Sequence, residues 1–200
     1  MIRQSVKLLT LFLFIFFTIV AAQEAKAASA SVPLSITVNG NLVLTDSDND
    51  TASGKNPTKN VSISLTPDIG ATSASGSANF RIRTNNTVWR LTAQRTTTSA
   101  GGTGIADSDV KVDIAKSAGT TGNLSAGSLV APFTAQADLS SIPTASSSDV
   151  ISGTAKTSAS KDGTNTNNYF QVSTTYSISP DFFFTPGTFS STVTYSLVSP

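Results

Sequence analysis

The sequence predicts an all-β protein built as a sandwich of two antiparallel sheets. Apolar residues alternate with polar ones at a period of two in several short runs, which is typical of strands that bury one face. Segments rich in Gly, Ser, Asn and Pro separate about ten such runs, and no sustained period of 3.6 residues follows Ala30. Many short strands without helices bury their apolar faces by packing one sheet on another.

Residues 1–27 have the pattern of a secretory signal peptide. Arg3 and Lys7 precede an apolar run over 8–20, and Ala25-Lys26-Ala27 forms the favoured cleavage site, with Ala28-Ser29-Ala30 and Ala22 as alternatives. The apolar run is shorter than the ~20 residues that span a bilayer, so an uncleaved anchor is the less favoured interpretation. We therefore expect one β-sandwich domain over 28–200, secreted or exposed at the cell surface, with no transmembrane segment after processing.

The composition argues against catalysis. The chain has no cysteine and no histidine, and its one glutamate, Glu24, lies in the predicted signal peptide. Because acid–base, nucleophilic and thiol chemistry near pH 7 mostly uses these side chains, we predict that the protein is not an enzyme. Removing Arg3, Lys7, Lys26 and Glu24 from 13 basic and 12 acidic residues leaves 10 and 11. The basic residues form no cluster, so a nucleic-acid partner is not expected.

In the N-terminal part, alternation predicts a first strand at 32–38 and a returning strand at 41–45. Asn39-Gly40 lies between them, and an Asn-Gly pair flanked by apolar runs is a strong hairpin signal. The alternative is that 32–38 adds to the sheet of a neighbouring copy by β-augmentation, but the local hairpin is favoured. A third strand is predicted at 61–65.

A hairpin with a basic outer face is predicted next. The small residues of 71–78 are interpreted as a loop, and 80–83 and 89–94 alternate on either side of an Asn85-Asn86 turn. The outer face would carry four arginines, namely Arg81, Arg83, Arg90 and Arg95. A solvated sheet face is favoured over an anion-binding site, because arginine commonly occupies polar strand positions.

The second half of the chain contains the clearest strands. A strand at 110–114, a weaker strand region at 129–139 and a small edge strand at 150–151 come first. Two runs of nine residues follow, at 170–178 and 189–197, and each would span about 30 Å. Their equal lengths and matching faces predict that these two strands pair antiparallel and close the core.

The closing segment 186–197, PGTFSSTVTYSL, resembles the last strand of several bacterial surface proteins. Its Pro-Gly-Thr-aromatic turn and alternating Thr and Val are similar to fimbrial subunits, spore-coat-protein-U-like pilins and the WxL surface domain. The resemblance implies an immunoglobulin-like two-sheet antiparallel β-sandwich that acts in a pilus, in adhesion or in cell-wall attachment. For a fimbrial subunit it also implies an assembly strand that a periplasmic chaperone binds. That strand would present Phe189, Val193, Tyr195 and Leu197.

The chain departs from these families at three points. Many pilins carry a cysteine pair that is missing here, and Val198-Ser199-Pro200 stands where an aromatic residue usually closes the strand. The Trp-x-Leu pattern occurs once, as Trp89-Arg90-Leu91, without its second copy. These departures leave open which of the families the chain resembles most.

Asp46, Asp48 and Asp50 form the one candidate metal site. Carboxylates at alternate positions of a loop suit calcium, which prefers several oxygen ligands. However, Thr51 replaces the turn glycine of an EF-hand-like loop, and Pro57 stands where its bidentate glutamate should be. An ion-free turn is therefore favoured, calcium is the alternative, and no other cofactor is expected.

The aromatic residues suggest a second functional hypothesis, a secreted carbohydrate-binding module with a glycan partner. Trp89, Tyr176 and Tyr195 fall on apolar strand positions and are interpreted as core residues, whereas Tyr169 is freer to stack on a sugar. The three consecutive aromatics at 182–184 cannot all face one core, so at least one is expected to be exposed.

The favoured prediction is an exported structural or adhesive protein of the cell surface, either pilin-like or part of a surface layer. It would act through strand pairing and surface contacts. Its expected partners are other copies of itself or other surface proteins.

Overall fold

A computed structural model describes residues 33–200, so the predicted signal peptide, its cleavage site and Val32 lie outside the described residues. This part of the chain forms nine strands and three short 3-10 turns. The strands are β1 (Leu42–Asp46), β2 (Ala74–Thr84), β3 (Trp89–Arg95), β4 (Val110–Ala118), β5 (Gly127–Leu129), β6 (Ala137–Asp138), β7 (Ser148–Gly153), β8 (Phe170–Ile178) and β9 (Val193–Val198). The 3-10 turns are Ala52–Gly54, Leu124–Ala126 and Leu139–Ser141.

The strands form two antiparallel sheets that pack face to face. Sheet A has five strands in the order β1-β2-β8-β4-β6, and sheet B has four in the order β5-β7-β3-β9. The predicted all-β sandwich of two antiparallel sheets is therefore confirmed, whereas an immunoglobulin-like topology stays a prediction. No helix within residues 33–200 has the length and apolarity needed to cross a bilayer.

The core between the sheets is built from alternate strand residues. Trp89 on β3 is fully buried, and its ring meets the ring of Phe170 on β8 edge-on, with centroids 5.6 Å apart. The indole N–H donates to the Ala155 carbonyl at 2.8 Å, so the buried polar atom is satisfied. Other large buried side chains include Phe133, Ile82, Leu91, Ile142, Ile151, Val112, Val150 and Val172.

The predicted pairing of the last two strands is wrong. β8 lies in the middle of sheet A between β2 and β4, and β9 lies in sheet B beside β3. Residues 179–192 carry the chain from one sheet to the other, and Phe184 and Phe189 pack against the core in this connection. An alternating pattern predicts that a strand has one buried face, but it does not determine which strand lies beside it.

The predicted arginine hairpin is also wrong. β2 belongs to sheet A and β3 to sheet B, so the short connection 85–88 crosses between the sheets. The small residues assigned to a loop at 71–78 include the start of β2, which begins at Ala74. Gly76 within this stretch has no room for a side chain, because a Cβ there would lie 2.6 Å from Val61 Cγ1.

The predicted N-terminal hairpin does not form. Residues 33–40 are not in a strand, and β1 pairs with β2 from Leu42 opposite Thr84 to Asp46 opposite Phe80. Asn85 fixes the entry of the chain into the sandwich. Its Nδ2 donates to the Asn39 carbonyl and its Oδ1 accepts from the Asn41 N–H, both at 2.8 Å. These bonds hold the Asn-Gly pair against the β2–β3 connection instead of a local turn.

Two smaller predictions differ from the structure, and one agrees. Residues 61–65 are not in a strand, and β7, which contains the predicted edge strand 150–151, lies inside sheet B between β5 and β3. The strand predicted at 110–114 is confirmed as part of β4.

The antiparallel topology places the connections at two opposite ends of the sandwich. Ala74, Ile178 and Val110 align across sheet A, so 66–73, 179–192 and 96–109 lie at one end, together with 139–147 of sheet B. We call this the aspartate end. The connections 85–88, 119–126 and 154–169 lie at the other end, which we call the lysine end.

Candidate functional site

The first described residues form an exposed apolar arm. Leu34, Ile36 and Val38 are 84%, 77% and 79% exposed, and they alternate with polar residues in the way that a strand with one buried face does. We call residues 33–38 the arm. These three large aliphatic side chains stay in water, so the free energy that their burial would contribute is not gained. The arm therefore has the pattern of a strand, but within residues 33–200 it belongs to no sheet.

β9 has the longest unpaired strand edge in the described part of the chain. One edge of β9 pairs with β3, and no strand within residues 33–200 pairs with the other. β9 has six residues, whereas the other outermost strands, β1, β5 and β6, have five, three and two. The N–H and C=O groups along an open edge are available to another strand. β9 is thus the best acceptor for a strand added to this sandwich.

The four residues of the predicted assembly strand lie partly on β9 and partly in the connection before it. Val193, Tyr195 and Leu197 lie on β9, are half-buried and pack against the core, while Thr194 and Ser196 between them are exposed. Phe189 precedes the strand; it also packs against the core. The structure therefore brings three of the four predicted residues onto one strand face.

Tyr195 fixes β9 to the opposite sheet. Its hydroxyl lies 3.0 Å from the hydroxyl of Tyr176 on β8, and its ring centroid is 5.8 Å from that of Phe80 on β2. Burial raises the pKa of Tyr195 well above its ordinary value, and burial also raises the pKa of Tyr176. Both phenols therefore stay neutral near pH 7 and hold the edge strand against the core from inside.

A second stretch of backbone is also unpaired. Val61, Ile63 and Leu65 are half-buried, and Ser62 and Ser64 are exposed, so the segment has the burial pattern of a strand. Within residues 33–200 no backbone hydrogen bond joins 57–67 to a neighbouring strand. Contacts such as that of Val61 with the start of β2 hold the segment in place. Its N–H and C=O groups add to the backbone surface that is open to another strand.

The aspartates of the candidate metal site face cationic side chains. Lys59 Nζ lies 2.8 Å from Asp46 and 2.7 Å from Asp48. The hydrogen bond from Lys59 is the main cause that lowers the pKa of each carboxyl, and the same bonds raise the pKa of Lys59. An ion at this loop would have to displace the lysine.

Asp50 is turned away from the other two and binds two arginines of β2. Both of its oxygens accept from Arg83 at 2.6 Å, and one also accepts from Arg81 at 2.9 Å. The Thr45 hydroxyl donates to it at 2.6 Å. Burial raises the pKa of Asp50, but the hydrogen bonds from Arg83, Thr45 and Arg81 outweigh burial and hold it well below its usual range. The loop is fixed to sheet A by these ion pairs.

Calcium at this loop stays the alternative to the favoured ion-free turn. Within residues 33–200, no three or more His, Cys, Asp or Glu side chains are grouped in a way that could hold a metal ion.

The aromatic residues proposed for sugar stacking are mostly occupied. Arg81 Cζ lies 4.0 Å from the centroid of the Tyr169 ring and Arg83 Cζ lies 5.4 Å from it, so the ring engages in cation–π contacts. In the run 182–184, Phe182 and Phe183 are 72% and 76% exposed, whereas Phe184 packs against the core. The expectation that at least one of the three is exposed is confirmed.

Comparison of the sequence with protein-family models and with curated proteins gives no match. The geometry of the arm and of the open β9 edge is therefore the basis for a functional proposal.

Sequence reasoning missed the open edge. The alternation in 33–38, 61–65 and 193–197 is visible in the sequence, but it does not reveal which of these segments has a partner. One signal was present: the arm alternates as regularly as the paired strands do.

Proposed function

We propose that this protein is an exported structural subunit of a cell-surface assembly, and that its copies join by strand pairing. The exposed alternating arm carries the proposal. In the assembly, the arm of one copy adds to the open edge of β9 in the next copy, with Leu34, Ile36 and Val38 turned toward the acceptor's core. The resemblance of 186–197 to the last strand of pilus and surface-layer subunits supports the same role.

Pairing of the arm would gain free energy from apolar burial and from backbone hydrogen bonds. Burying the three aliphatic side chains of the arm contributes about 1.5–3 kcal/mol each, or about 6 kcal/mol together. Backbone hydrogen bonds along a six-residue edge add roughly 0.5–1.5 kcal/mol each. These gains oppose an association cost of roughly 4–15 kcal/mol. The gains and the cost are therefore of the same order, so we expect assembly to depend on the concentration of the protein.

The position of the arm determines how the copies connect to one another. The arm joins the sandwich at Asn39, which Asn85 holds at the lysine end. One copy therefore donates a strand and offers β9 to another donor, so the contact is heterologous and repeats from copy to copy. Where each copy accepts an arm from one neighbour and donates its own to another, such a contact produces a chain of subunits.

The proposal is tested by changing the apolar face of the arm in the processed protein. In the test variant Leu34, Ile36 and Val38 are all replaced by Ser; in the matched control Ser35 and Thr37, on the other face of the arm, are replaced by Asn. Size-exclusion chromatography and negative-stain electron microscopy then measure assembly. We expect filaments or ladders from the wild type and the control, and neither from the test variant.

Two results would contradict the proposal. Assembly of the test variant at the wild-type level would show that the arm is not the donor, and a monomeric wild type at high concentration would remove the structural role itself. Circular dichroism of each variant distinguishes lost assembly from lost folding.

A further inference from the structure

The exposed large hydrophobic residues are confined to the arm and to the two ends of the sandwich. Within residues 33–200 there are nine such residues, and three belong to the arm. Ile69, Phe182 and Phe183 lie at the aspartate end; Val88, Leu124 and Val198 lie at the lysine end. None lies on the middle of an outer sheet face. Scattered exposed apolar residues need no explanation, but a distribution restricted to two opposite ends points to contacts at those ends.

The aspartate end presents its aromatic residues on fixed loops. The Phe183 N–H donates to Asp181 Oδ1 at 2.8 Å, and the Thr185 N–H donates to the Thr103 carbonyl at 3.0 Å. The hydroxyls of Ser73 and Ser179, 2.9 Å apart, join the loop of Ile69 to the loop of the two phenylalanines. Because their backbone is held in this way, these loops lose little conformational freedom when their exposed side chains bind.

The net charge of the aspartate end is negative. Its four connections contain Asp68, Asp107, Asp109 and Asp181 and no lysine or arginine. Arg95, at the last position of β3, pairs with Asp107 at 2.7 Å. Lys111 donates to the Ser108 carbonyl at this end and pairs with Asp138 at 2.6 Å. The other three carboxylates therefore give this end its negative charge.

The lysine end has the complementary character. Lys156 and Lys161 are exposed in its longest connection, 154–169, and the carboxylate of Asp162 there accepts N–H groups of its own loop. The hydroxyl of Ser199 donates to the Val88 carbonyl at 3.0 Å, so the last residues of the chain pack beside the β2–β3 connection. The exposed aliphatic side chains Val88, Leu124 and Val198 lie on the same end.

From these observations we infer that the aspartate end of one copy docks on the lysine end of the next copy of this chain. This inference rests on the proposed function, because it names a second contact in the same assembly. Phe182, Phe183 and Ile69 of one copy pack on Val88 and Leu124 of the next, and Lys156 and Lys161 face the aspartates. The occupant is a second copy because the two ends match each other in charge and in apolar character. An anionic membrane would repel the aspartate end.

The contact also fits the position of the arm. The arm leaves the sandwich at the lysine end, and β9 begins at the aspartate end with Val193 opposite Arg95. A copy docked end to end therefore brings its arm to the start of the acceptor strand. Docking raises the local concentration of the arm, which makes strand addition effectively intramolecular.

The test separates end docking from strand pairing. It uses the processed chain with Leu34, Ile36 and Val38 replaced by Ser, which we call the arm variant, and all further changes are made in this variant. Sedimentation velocity over a concentration series measures self-association. One further variant alters the aspartate end (Phe182→Ser with Phe183→Ser), and another alters the lysine end (Val88→Ser with Leu124→Ser). The control changes Ala135→Ser and Gln136→Ser, two exposed residues between β5 and β6, away from both ends.

We expect the arm variant and the control to self-associate weakly. This self-association should be weaker still at high salt, because salt screens the charges of the two ends. Each end variant alone should bind itself at least about tenfold more weakly, because the anchors of one surface are gone. A mixture of the two end variants should form dimers and nothing larger, since each then retains one intact surface of a matched pair.

Three outcomes would overturn the inference. A monomeric arm variant would show that the ends do not dock, even where wild-type filaments support strand pairing. Unchanged self-association of the lysine-end variant would mean that two aspartate ends meet each other. Failure of the two folded end variants to form mixed dimers would exclude the head-to-tail contact. Dimers of the mixture would support docking whether or not the arm proves to be the donor strand.

Discussion

Replacing Asp50 by alanine tests whether ion pairs fix the loop 46–59 to sheet A. The change removes four hydrogen bonds: one from Thr45 at 2.6 Å, one from Arg81 at 2.9 Å and two from Arg83 at 2.6 Å. It also leaves two guanidinium groups of like charge side by side, with side chains only 24% and 15% exposed. The loss is therefore more severe than that of a surface ion pair.

The magnitude follows from the degree of burial. Removing one partner of a fully buried ion pair costs about 3–5 kcal/mol, and an exposed pair contributes about 0–1 kcal/mol. For this partly exposed group we expect a loss of about 3 kcal/mol in the free energy of unfolding. In a domain of this size each 1 kcal/mol lowers Tm by about 2–4 °C, so Tm should fall by roughly 9 °C.

Urea and thermal unfolding followed by circular dichroism measure this loss. Asp149→Ala is the matched control, because its partner Arg90 lies 3.1 Å away on an exposed face and the expected loss is below about 0.5 kcal/mol. A loss for Asp50→Ala that does not exceed the loss for Asp149→Ala would refute the assignment of this network as the anchor of the loop.

Three other predictions follow from the same structure. The wild type should lose the contribution of Asp50 as the pH falls below about 4, because its pKa is lower in the folded state than the ~3.9 of the unfolded chain. Urea unfolding at pH 7 and pH 3 measures this, and a constant difference between wild type and Asp50→Ala would contradict it. Gly153→Ala would place a Cβ 2.1 Å from Trp89 Cε2, so unfolding free energy should fall by about 1–3 kcal/mol. Gly163→Ala, with open space around it, should change little. Calcium at roughly 1 mM should leave the wild-type Tm unchanged and raise it only in Lys59→Ala, which frees two aspartates; a shift in the wild type would contradict this.

Local pattern was sufficient to predict the fold class and most buried faces. The alternation of Phe170 to Ile178 and of Phe189 to Leu197 predicts strands with an apolar face. The first is found in full as β8, whereas only 193–197 of the second lies in β9. Trp89 and Tyr195 were expected in the core, where their polar atoms do find partners. These features depend on residues close in sequence, and so a single sequence reveals them.

Pairing was not predictable from the sequence, because it depends on contacts between distant segments. Short connections such as 85–88 looked like hairpin turns but cross between sheets, and a two-residue period fits either arrangement. The Asp46–Asp50 pattern suggested oxygen ligands for a metal, but the cations that face it come from Lys59 and from β2. Only one part of the candidate site could be predicted, the arm, which was recognised from its alternating residues. The open edge of β9 could not be predicted, because identifying it needs the order of the strands in sheet B.

Cysteine cross-linking tests the central claim most directly. The chain has no cysteine, so single introduced cysteines report one contact each. Ser35→Cys on the outer face of the arm is mixed with a second copy carrying Ser196→Cys or Thr194→Cys on the outer face of β9, since paired neighbouring strands bring such residues within about 5 Å. We predict an intermolecular disulfide in the assembled mixture with at least one β9 position, and none with Ser75→Cys on β2 of sheet A. Cross-linking to Ser75→Cys as readily as to β9, or to neither β9 position, would contradict strand pairing at this edge.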